Sequence, residues 1–210
     1  MRGRFISFEG GEGAGKSTVL GAVLALLERR GVAHLATREP GGTPLGEAIR
    51  ALVLDPAHPA TCPEAEALLM FASRAQHVVE AIRPALAAGT WVVSDRFTDA
   101  SYAYQGGGRG VPRERIEALE QWAAFGLVPD HTFLLDVPVD EGLRRIAGRG
   151  HADRMEREDV AFFERVRAAY LERARSDPAR FVVVDATQPL DAVVAGVLAR
   201  IEAIVAGARA

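Results

Sequence analysis

A loop made almost entirely of glycine separates a short apolar segment from a long helical pattern near the start of the chain. Phe5–Glu9 predicts a buried strand, and residues 10–15 are Gly-Gly-Glu-Gly-Ala-Gly. Residues 16–30 then carry apolar side chains at helical spacing, and Gly31 ends the pattern. A buried strand joined to a helix by such a loop favours an α/β fold, in which helices pack along a sheet.

The same loop has the spacing of a nucleotide phosphate-binding loop. Its pattern is Gly10-x-x-x-x-Gly15-Lys16-Ser17, and its glycines allow backbone N–H groups to turn inward around phosphate oxygens. Lys16 would reach the β- and γ-phosphates of ATP, and the Ser17 hydroxyl would ligate Mg²⁺. Lys16 is the only lysine among 25 cationic residues, and it stands where the pattern requires one. The predicted ATP-binding residues of the loop are Gly10, Gly11, Glu12, Gly13, Ala14, Gly15, Lys16, Ser17 and Thr18.

Strand and helix patterns alternate along the whole chain. Short apolar strands are predicted at residues 5–9, 32–37, 91–95, 132–137 and 181–185. Helices are predicted at residues 16–30, 43–54, 64–88, 112–125, 139–147, 159–176 and 190–206, with a kink near Pro84. Strands that are apolar on both faces are typical of a parallel sheet covered by helices on both sides. We predict an α/β fold with a five-stranded parallel sheet flanked by helices in three layers, forming one domain over residues 1–210 with a short lid at about 148–156.

Composition narrows the class of protein. With 49% hydrophobic residues and a net charge of −3, the chain has material for a core but no positive excess for nucleic acid or an anionic membrane. No uncharged apolar run reaches the 18 residues of a membrane helix, and the single cysteine, Cys62, suits a reducing compartment. The chain has no asparagine, so the Asn-Lys-x-Asp motif of guanine-binding GTPases is absent. These features favour a small cytoplasmic kinase.

Arginines at the ends of two predicted strands indicate an anionic acceptor. Arg38 follows the second strand, and Arg96 follows the third directly after Asp95. Arg50 and Arg74 lie on helical patterns that can face the same crevice. Ligands of doubly wound sheets bind beyond the carboxyl ends of the strands, and a guanidinium can donate two N–H groups to one phosphate. The placement therefore predicts a phosphorylated substrate.

Four motifs occur in a fixed order along the chain. They are Phe8-Glu9-Gly10-x-Glu12-Gly13-Ala14-Gly15-Lys16-Ser17-Thr18, Thr37-Arg38-Glu39-Pro40-Gly41-Gly42-Thr43, Asp95-Arg96-Phe97 and Ala103-Tyr104-Gln105-Gly106. Together they resemble bacterial thymidylate kinases of the P-loop nucleoside monophosphate kinase superfamily, and the match extends as far as residues 185–190. The resemblance implies transfer of the γ-phosphoryl group of ATP to dTMP, giving dTDP for DNA precursor synthesis. It also implies Mg²⁺ as a cofactor and a homodimer.

The resemblance assigns roles on the phosphate side of the site. Arg38, Arg50 and Arg96 would surround the acceptor phosphate, and Asp95 would lie near the metal and the phosphates. Gln188 would belong to the loop beside the base of ATP. Two neighbours in the motif of Arg38 are also expected to contact dTMP, namely Glu39 and Pro40.

It also assigns roles around the nucleoside. Glu12 would lie near the 3′-hydroxyl of the deoxyribose, and Tyr104 would press on C2′ and exclude a ribose hydroxyl. Arg74 would hydrogen-bond a carbonyl of thymine, with Ser101 and Gln105 on the other polar edge of the base.

Two positions depart from the family pattern. Many relatives have a phenylalanine four residues before the base-contacting arginine, whereas this chain has Met70 there and Phe71 beside it, so either side chain is a candidate to contact thymine. Some relatives carry an arginine in the loop at the position of Gly13. The missing cation is then expected from the predicted lid, where Arg149 and Arg154 are both candidates.

Catalysis on such an acceptor requires stabilisation of charge rather than a general base, because the attacking phosphate oxygen is already anionic. The predicted catalytic residues are Lys16, Asp95, Arg96, Arg149 and Arg154. Two other interpretations stay open, a kinase for a different small acceptor and a nucleotide-binding protein that has lost catalysis. Loss of base preference would indicate the former, and loss of acceptor-dependent turnover the latter.

Overall fold

Five parallel strands form the sheet at the centre of the molecule. The computed structural model describes residues 2–57, 61–147 and 154–209. The strands are β1 (Phe5–Glu9), β2 (His34–Arg38), β3 (Trp91–Asp95), β4 (His131–Asp136) and β5 (Phe181–Asp185). Their order across the sheet is β2-β3-β1-β4-β5, and every neighbouring pair is parallel. The predicted sheet is confirmed, with β1 in the middle.

Helices connect the strands and cover the sheet. They are α1 (Lys16–Arg29), α2 (Pro44–Leu54), α3 (Pro63–His77), α4 (Arg83–Ala87), α5 (Thr98–Ser101), α6 (Arg113–Ala123), α7 (Val139–Ile146), α8 (Val160–Ser176) and α9 (Leu190–Arg209). A π-helical turn, Val78–Ile82, joins α3 to α4, and a π-helical segment, Tyr102–Gly108, continues α5. No helix within the described ranges is long and apolar enough to cross a membrane.

Alternation of side chains along β1 puts helices on both faces of the sheet. Ile6 and Phe8 are fully buried in a core that they share with α1 and α9. Phe5 points the other way, into a second core with α4 and the π-helical turn that precedes it. Next to it, Leu134 of β4 packs against Tyr170 and other side chains of α8. The predicted three-layer arrangement is confirmed.

Residues 98–108 are helical, although the sequence patterns predicted no helix there. A Cβ added to Gly107 would lie 2.7 Å from the Cβ of Ala169, and one added to Gly108 would lie 2.4 Å from the ring of Phe162. These glycines let the segment approach α8 closely. Packing against α8 therefore outweighs the low helix propensity of glycine.

The long helix predicted at residues 64–88 is interrupted one turn before Pro84. The π-helical turn Val78–Ile82 lies directly in front of α4, which carries Pro84 at its start. Proline has no backbone N–H and its ring crowds the preceding turn, so a wider turn at this point accommodates it. Of the predicted lid, residues 148–153 lie outside the described residues.

Candidate active site

The glycine loop follows the central strand and leads into α1, as predicted. Gly13 and Gly15 have φ angles of 72° and 86°, in the left-handed region that glycine adopts without strain. Lys16 begins α1, and its Nζ donates to the carbonyl oxygen of Gly10 at 3.2 Å. Burial, and then the charge of Arg96, lower the pKa of Lys16 below its ordinary value. The ammonium group therefore lies in a pocket that favours an incoming anion.

A close contact between two backbones explains why the loop has glycine where some relatives have arginine. A Cβ on Gly13 would lie 2.1 Å from the carbonyl oxygen of Gly142 in α7. In the reverse direction, a Cβ on Gly142 would lie 2.4 Å from the carbonyl oxygen of Glu12. Arg145 of α7 also donates to the carbonyls of Gly13 and Ala186, at 3.4 and 2.9 Å. The space beside Gly13 is filled by α7, which leaves no room for a side chain.

Asp95 has the features of a metal-binding carboxylate. Among the described residues, its Oδ1 is the only buried side-chain nitrogen or oxygen without a hydrogen-bond partner. Asp95 and Ser17 line the same cleft, and a carboxylate, a hydroxyl and phosphate oxygens are the hard ligands that Mg²⁺ prefers. No group of three acidic, histidine or cysteine side chains within these ranges is arranged to hold a metal by itself. The residues present fit a Mg²⁺ ion shared with a bound nucleotide.

Arg96 connects the glycine loop to the side chains around it. Its Nη1 donates to the Gly10 carbonyl and to the Tyr170 hydroxyl, both at 3.0 Å. Its Nη2 donates to Glu12 Oε1 at 3.0 Å and to the Tyr104 hydroxyl at 2.9 Å. Burial raises the pKa of both tyrosines, so they stay protonated, and Tyr104 in turn donates to Glu12. Three predicted site residues, Glu12, Arg96 and Tyr104, are thus in direct contact.

Glu9 is connected to Arg96 through Phe97 and Tyr170, a role that the sequence did not indicate. Its Oε1 accepts the backbone N–H of Phe97 at 2.7 Å, and its Oε2 accepts the hydroxyl of Tyr170 at 2.8 Å. Glu9 has no exposed surface. Burial, together with the nearby charge of Asp99, raises its pKa from 4.5 to about 8.

Two more arginines of the cleft lie on either side of the loop after β2, Arg38 at the end of β2 and Arg50 on α2. Arg38 Nη2 donates to Glu47 Oε2 at 2.9 Å and stays about half exposed. Arg50 Nη1 donates to the carbonyl of Pro40 at 3.1 Å. The peptide bond between Glu39 and Pro40 is cis. Both arginines line the cleft.

Arg74, on α3, is buried against the same loop. Its Nε donates to Glu39 Oε2 at 2.7 Å, its Nη1 to Ser101 Oγ at 2.9 Å and its Nη2 to the carbonyl of Phe97 at 3.1 Å. The guanidinium lies 4.6 Å from the centre of the Phe71 ring. These contacts fix the plane of the guanidinium.

A single cleft of about 280 Å³, open to solvent, brings most of the predicted residues together. Its lining includes Glu12, Lys16, Ser17, Arg38, Glu39, Pro40, Arg50, Met70, Arg74, Asp95, Arg96, Ser101, Tyr104 and Gln105. Four other residues line the cleft and were not predicted from the sequence, namely Leu54, Ala100, Met155 and Glu156. They are apolar, except for Glu156, and carry no signal that distinguishes a cleft wall from ordinary core.

The two candidates for contact with thymine lie in different places, and Gln188 and Arg154 do not line the cleft. Met70 lines the cleft, whereas Phe71 is buried behind Arg74 among the side chains of α6 and its neighbours. Gln188 is exposed beyond β5 and donates to Asp185 Oδ2 at 3.0 Å. Arg154 donates to the Val53 carbonyl at 2.7 Å and to Glu66 Oε2 at 2.6 Å. Arg149 lies outside the described residues.

Three features define a P-loop phosphotransferase of the nucleoside monophosphate kinase type. They are the strand order, the position of the glycine loop, and the pair Asp95-Arg96 at the end of β3. A family profile described as thymidylate kinase matches residues 8–197. The thymidylate kinase of Cupriavidus pinatubonensis is 56% identical over 92% of this chain and 95% of its own. That of Alkalilimnicola ehrlichii is 59% identical over 91% and 89%, and that of Methylococcus capsulatus is 52% identical over 98% of each chain. The chain belongs to the thymidylate kinase family, which phosphorylates dTMP with ATP.

Proposed function

We propose that this cleft binds dTMP and ATP end to end and transfers the γ-phosphoryl group of ATP to dTMP. The observation that supports this most strongly is that one cleft holds both the phosphate-binding lysine and a buried polar wall suited to a base. In this arrangement Arg38, Arg50 and Arg96 bind the acceptor phosphate. Arg74, Ser101 and Gln105 contact the edge of the base.

The sugar and the face of the base are bound by residues between these two ends. Glu12 accepts the 3′-hydroxyl, and Tyr104, held by its contacts to Glu12 and Arg96, closes the space at C2′. Met70 is the side chain that packs against thymine, since Phe71 is covered by Arg74. The base of ATP lies near Gln188, in the loop after β5. Arg145 connects this loop to the glycine loop, because it donates to the carbonyls of both Ala186 and Gly13.

The chain supplies positioning and charge to the reaction. No general base is required, because the attacking oxygen of dTMP is anionic. Lys16 and Arg96 stabilise negative charge on the transferred group, and the glycine loop holds the other phosphates with its N–H groups. Ser17 and Asp95 hold Mg²⁺, which neutralises charge on the phosphates when it is bound.

We propose that an arginine of the predicted lid supplies a further positive charge to the transferred phosphoryl group. Arg154 is held by Glu66 and by the Val53 carbonyl, so we assign the contact with the γ-phosphoryl group to Arg149. We expect Arg149→Ala to lower kcat by about 10³-fold, the scale of a mobile arginine in related phosphoryl transfers. Arg154→Ala is expected to raise the KM for dTMP more than it lowers kcat. Equal kcat losses in the two variants would contradict this assignment.

We further propose a homodimer formed through the outer face of α3 and of the π-helical turn that follows it. Leu68 and Val79 are 56% and 52% exposed, and with the exposed Ala72 they form an apolar stripe at helical spacing. The same helix carries Met70 and Arg74 on its inner side, so a second copy of this chain seated here would brace the base-binding wall. The lone thiol of Cys62 suits work in the cytoplasm.

The test is ADP formation from ATP and Mg²⁺ with dTMP, dUMP, dCMP, dGMP or UMP, each compared with a blank without acceptor. Rapid turnover with dTMP, slower turnover with dUMP and negligible turnover with UMP are expected. Equal rates for all acceptors would indicate a less selective kinase. Turnover that is absent, or independent of acceptor, would refute the proposed function.

A further inference from the structure

A buried carboxylate lies directly behind the base-binding wall of the cleft. Glu66, on α3, has no exposed surface. It accepts hydrogen bonds from Gln105 Nε2 at 2.9 Å, from Arg154 Nη2 at 2.6 Å and from Arg109 Nε at 3.3 Å. Nothing in the sequence patterns distinguishes Glu66 from a solvent-facing residue of a helix.

The contact with Glu66 fixes the direction in which the Gln105 amide faces. Burial acts to raise the pKa of Glu66, but hydrogen bonds from Arg154 and Gln105 and the charge of Arg109 outweigh it, and the pKa lies below its ordinary value. Glu66 is therefore ionised at neutral pH, and an ionised carboxylate can only accept hydrogen bonds. The atom of Gln105 that meets it must be the amide nitrogen. The carbonyl oxygen of Gln105 is left for the cleft.

The neighbouring Arg74 completes a hydrogen-bonding pattern. A guanidinium carries five N–H groups, and the described residues Glu39, Ser101 and Phe97 accept three of those of Arg74. The wall thus offers donors from Arg74 beside an acceptor from Gln105. Thymine has an acceptor, O4, beside a donor, N3–H, which is the complement of this pattern. Cytosine has an amino donor beside the acceptor N3, which places like groups against each other.

We propose that Glu66 is a positioning residue that sets base specificity, because it holds the Gln105 amide in the one orientation that accepts from N3–H and rejects cytosine. This inference rests on the proposed dTMP site. Without Glu66, the Gln105 amide could turn over and donate Nε2 to N3 of cytosine. Specificity against cytosine would then be lost although every residue that touches the base is unchanged.

The first test is the ratio of kcat/KM for dTMP to that for dCMP in Glu66→Gln. A glutamine at this position can pair with the Gln105 amide in either orientation, so we expect the ratio to fall by about 10-fold or more, chiefly through better use of dCMP. Arg109→Gln is the matched control, since it removes another donor to Glu66 but leaves the Gln105 contact, and its ratio should match that of the wild type. An unchanged ratio in a folded Glu66→Gln enzyme would overturn the inference.

A second variant keeps the inference testable if Glu66→Gln does not fold. Gln105→Leu leaves Glu66 paired with both arginines and removes only the amide. We expect it to raise the KM for dTMP by about 10-fold and to change that for dCMP little, since dCMP gains nothing from the wild-type carbonyl. In this background Glu66→Gln should not alter the ratio further. Equal losses for both nucleotides would overturn the inference, whereas a wild-type enzyme without dTMP turnover would refute the proposed function itself.

Discussion

Arg96 has a backbone conformation that few residues other than glycine adopt. Its φ angle is 73°, which costs a non-glycine residue roughly 1–3 kcal/mol. Its N–H donates to the carbonyl of Phe8 at 2.9 Å, and its carbonyl accepts the Ser94 hydroxyl at 2.7 Å. The next N–H, that of Phe97, is held by Glu9. This sharp turn after β3 directs the guanidinium back onto the glycine loop, where the proposed reaction requires negative charge to be stabilised.

The raised pKa of Glu9 predicts how the stability of the fold depends on pH. The native state keeps a proton on Glu9 up to about pH 8, whereas the unfolded chain loses it near 4.5. Because the native state binds more protons between these values, this group's contribution to the free energy of unfolding falls as pH rises, by about 1.4 kcal/mol per pH unit. Chemical denaturation between pH 5 and 8 should therefore show a flatter pH dependence in Glu9→Gln than in the wild type.

Glu47→Gln is the control for this measurement. The backbone N–H of Gly42 and the Arg38 guanidinium lower the pKa of Glu47, so it titrates below the window and should leave the slope unchanged. The charged groups that act most strongly on Glu9 are Asp99 and Arg96, and its neutral hydrogen-bond partner is Tyr170; all three remain in the Glu9→Gln variant. Parallel curves for wild type and Glu9→Gln would mean that Glu9 is ionised in the native state.

At the level of elements, the contact between the glycine loop and α7 is open to direct test. Gly13→Ala places a Cβ 2.1 Å from a backbone oxygen at a φ of 72°, and we expect it to lower the free energy of unfolding by at least about 2 kcal/mol. Gly11→Ala is the matched control, since nothing lies within 4 Å of its Cβ position. Thermal or denaturant unfolding of both variants gives the comparison. Equal losses in the two would show that α7 yields to the added methyl group.

Local chemistry predicted some elements well and others not at all. The start of α2 follows from its sequence alone: Thr43 caps the N–H of Gly46 at 3.0 Å, and Pro44 takes the first helical position. Residues 98–108 were missed because their helical form depends on α8, which is far away in sequence. Glu9 and Glu66 were missed for the same reason. Their partners lie 88 and 39 residues further along the chain, and no short-range pattern connects them.

At the scale of the whole molecule, the apolar stripe along α3 and the π-helical turn after it predicts the state of association. Val79→Glu places a charge in the proposed interface, and we expect it to convert the dimer to a monomer in sedimentation equilibrium. Val160→Glu is the control, because Val160 is 55% exposed, close to the 52% of Val79, but lies at the start of α8. A wild-type monomer, or a Val79→Glu variant that remains dimeric, would exclude this face as the interface.

The cleft itself depends on the whole sheet rather than on any one motif. The loops after β1, β2 and β3 meet because the three strands are neighbours and run in the same direction. Lys16, Arg38 and Arg96 are distant in sequence but line one cleft for that reason. The sequence predicted this convergence, since parallel strands end at one edge of a sheet. It could not predict which wall Met70 or Phe71 would occupy, because that depends on the rotation of α3.

The facing backbones of Gly13 and Gly142 also limit the evolutionary routes open to this sequence. A descendant that carried the proposed cation of the lid in the glycine loop instead would need an arginine at position 13. That residue has no space until α7 shifts, and α7 leads into the predicted lid that carries Arg149. A side chain at position 13 would meet the backbone of Gly142, and a side chain at position 142 would meet the backbone of Glu12, so a substitution on either side alone is disfavoured. In this sequence the proposed cation of the lid and a cation in the glycine loop are therefore alternatives, which can be exchanged only by changing loop and helix together.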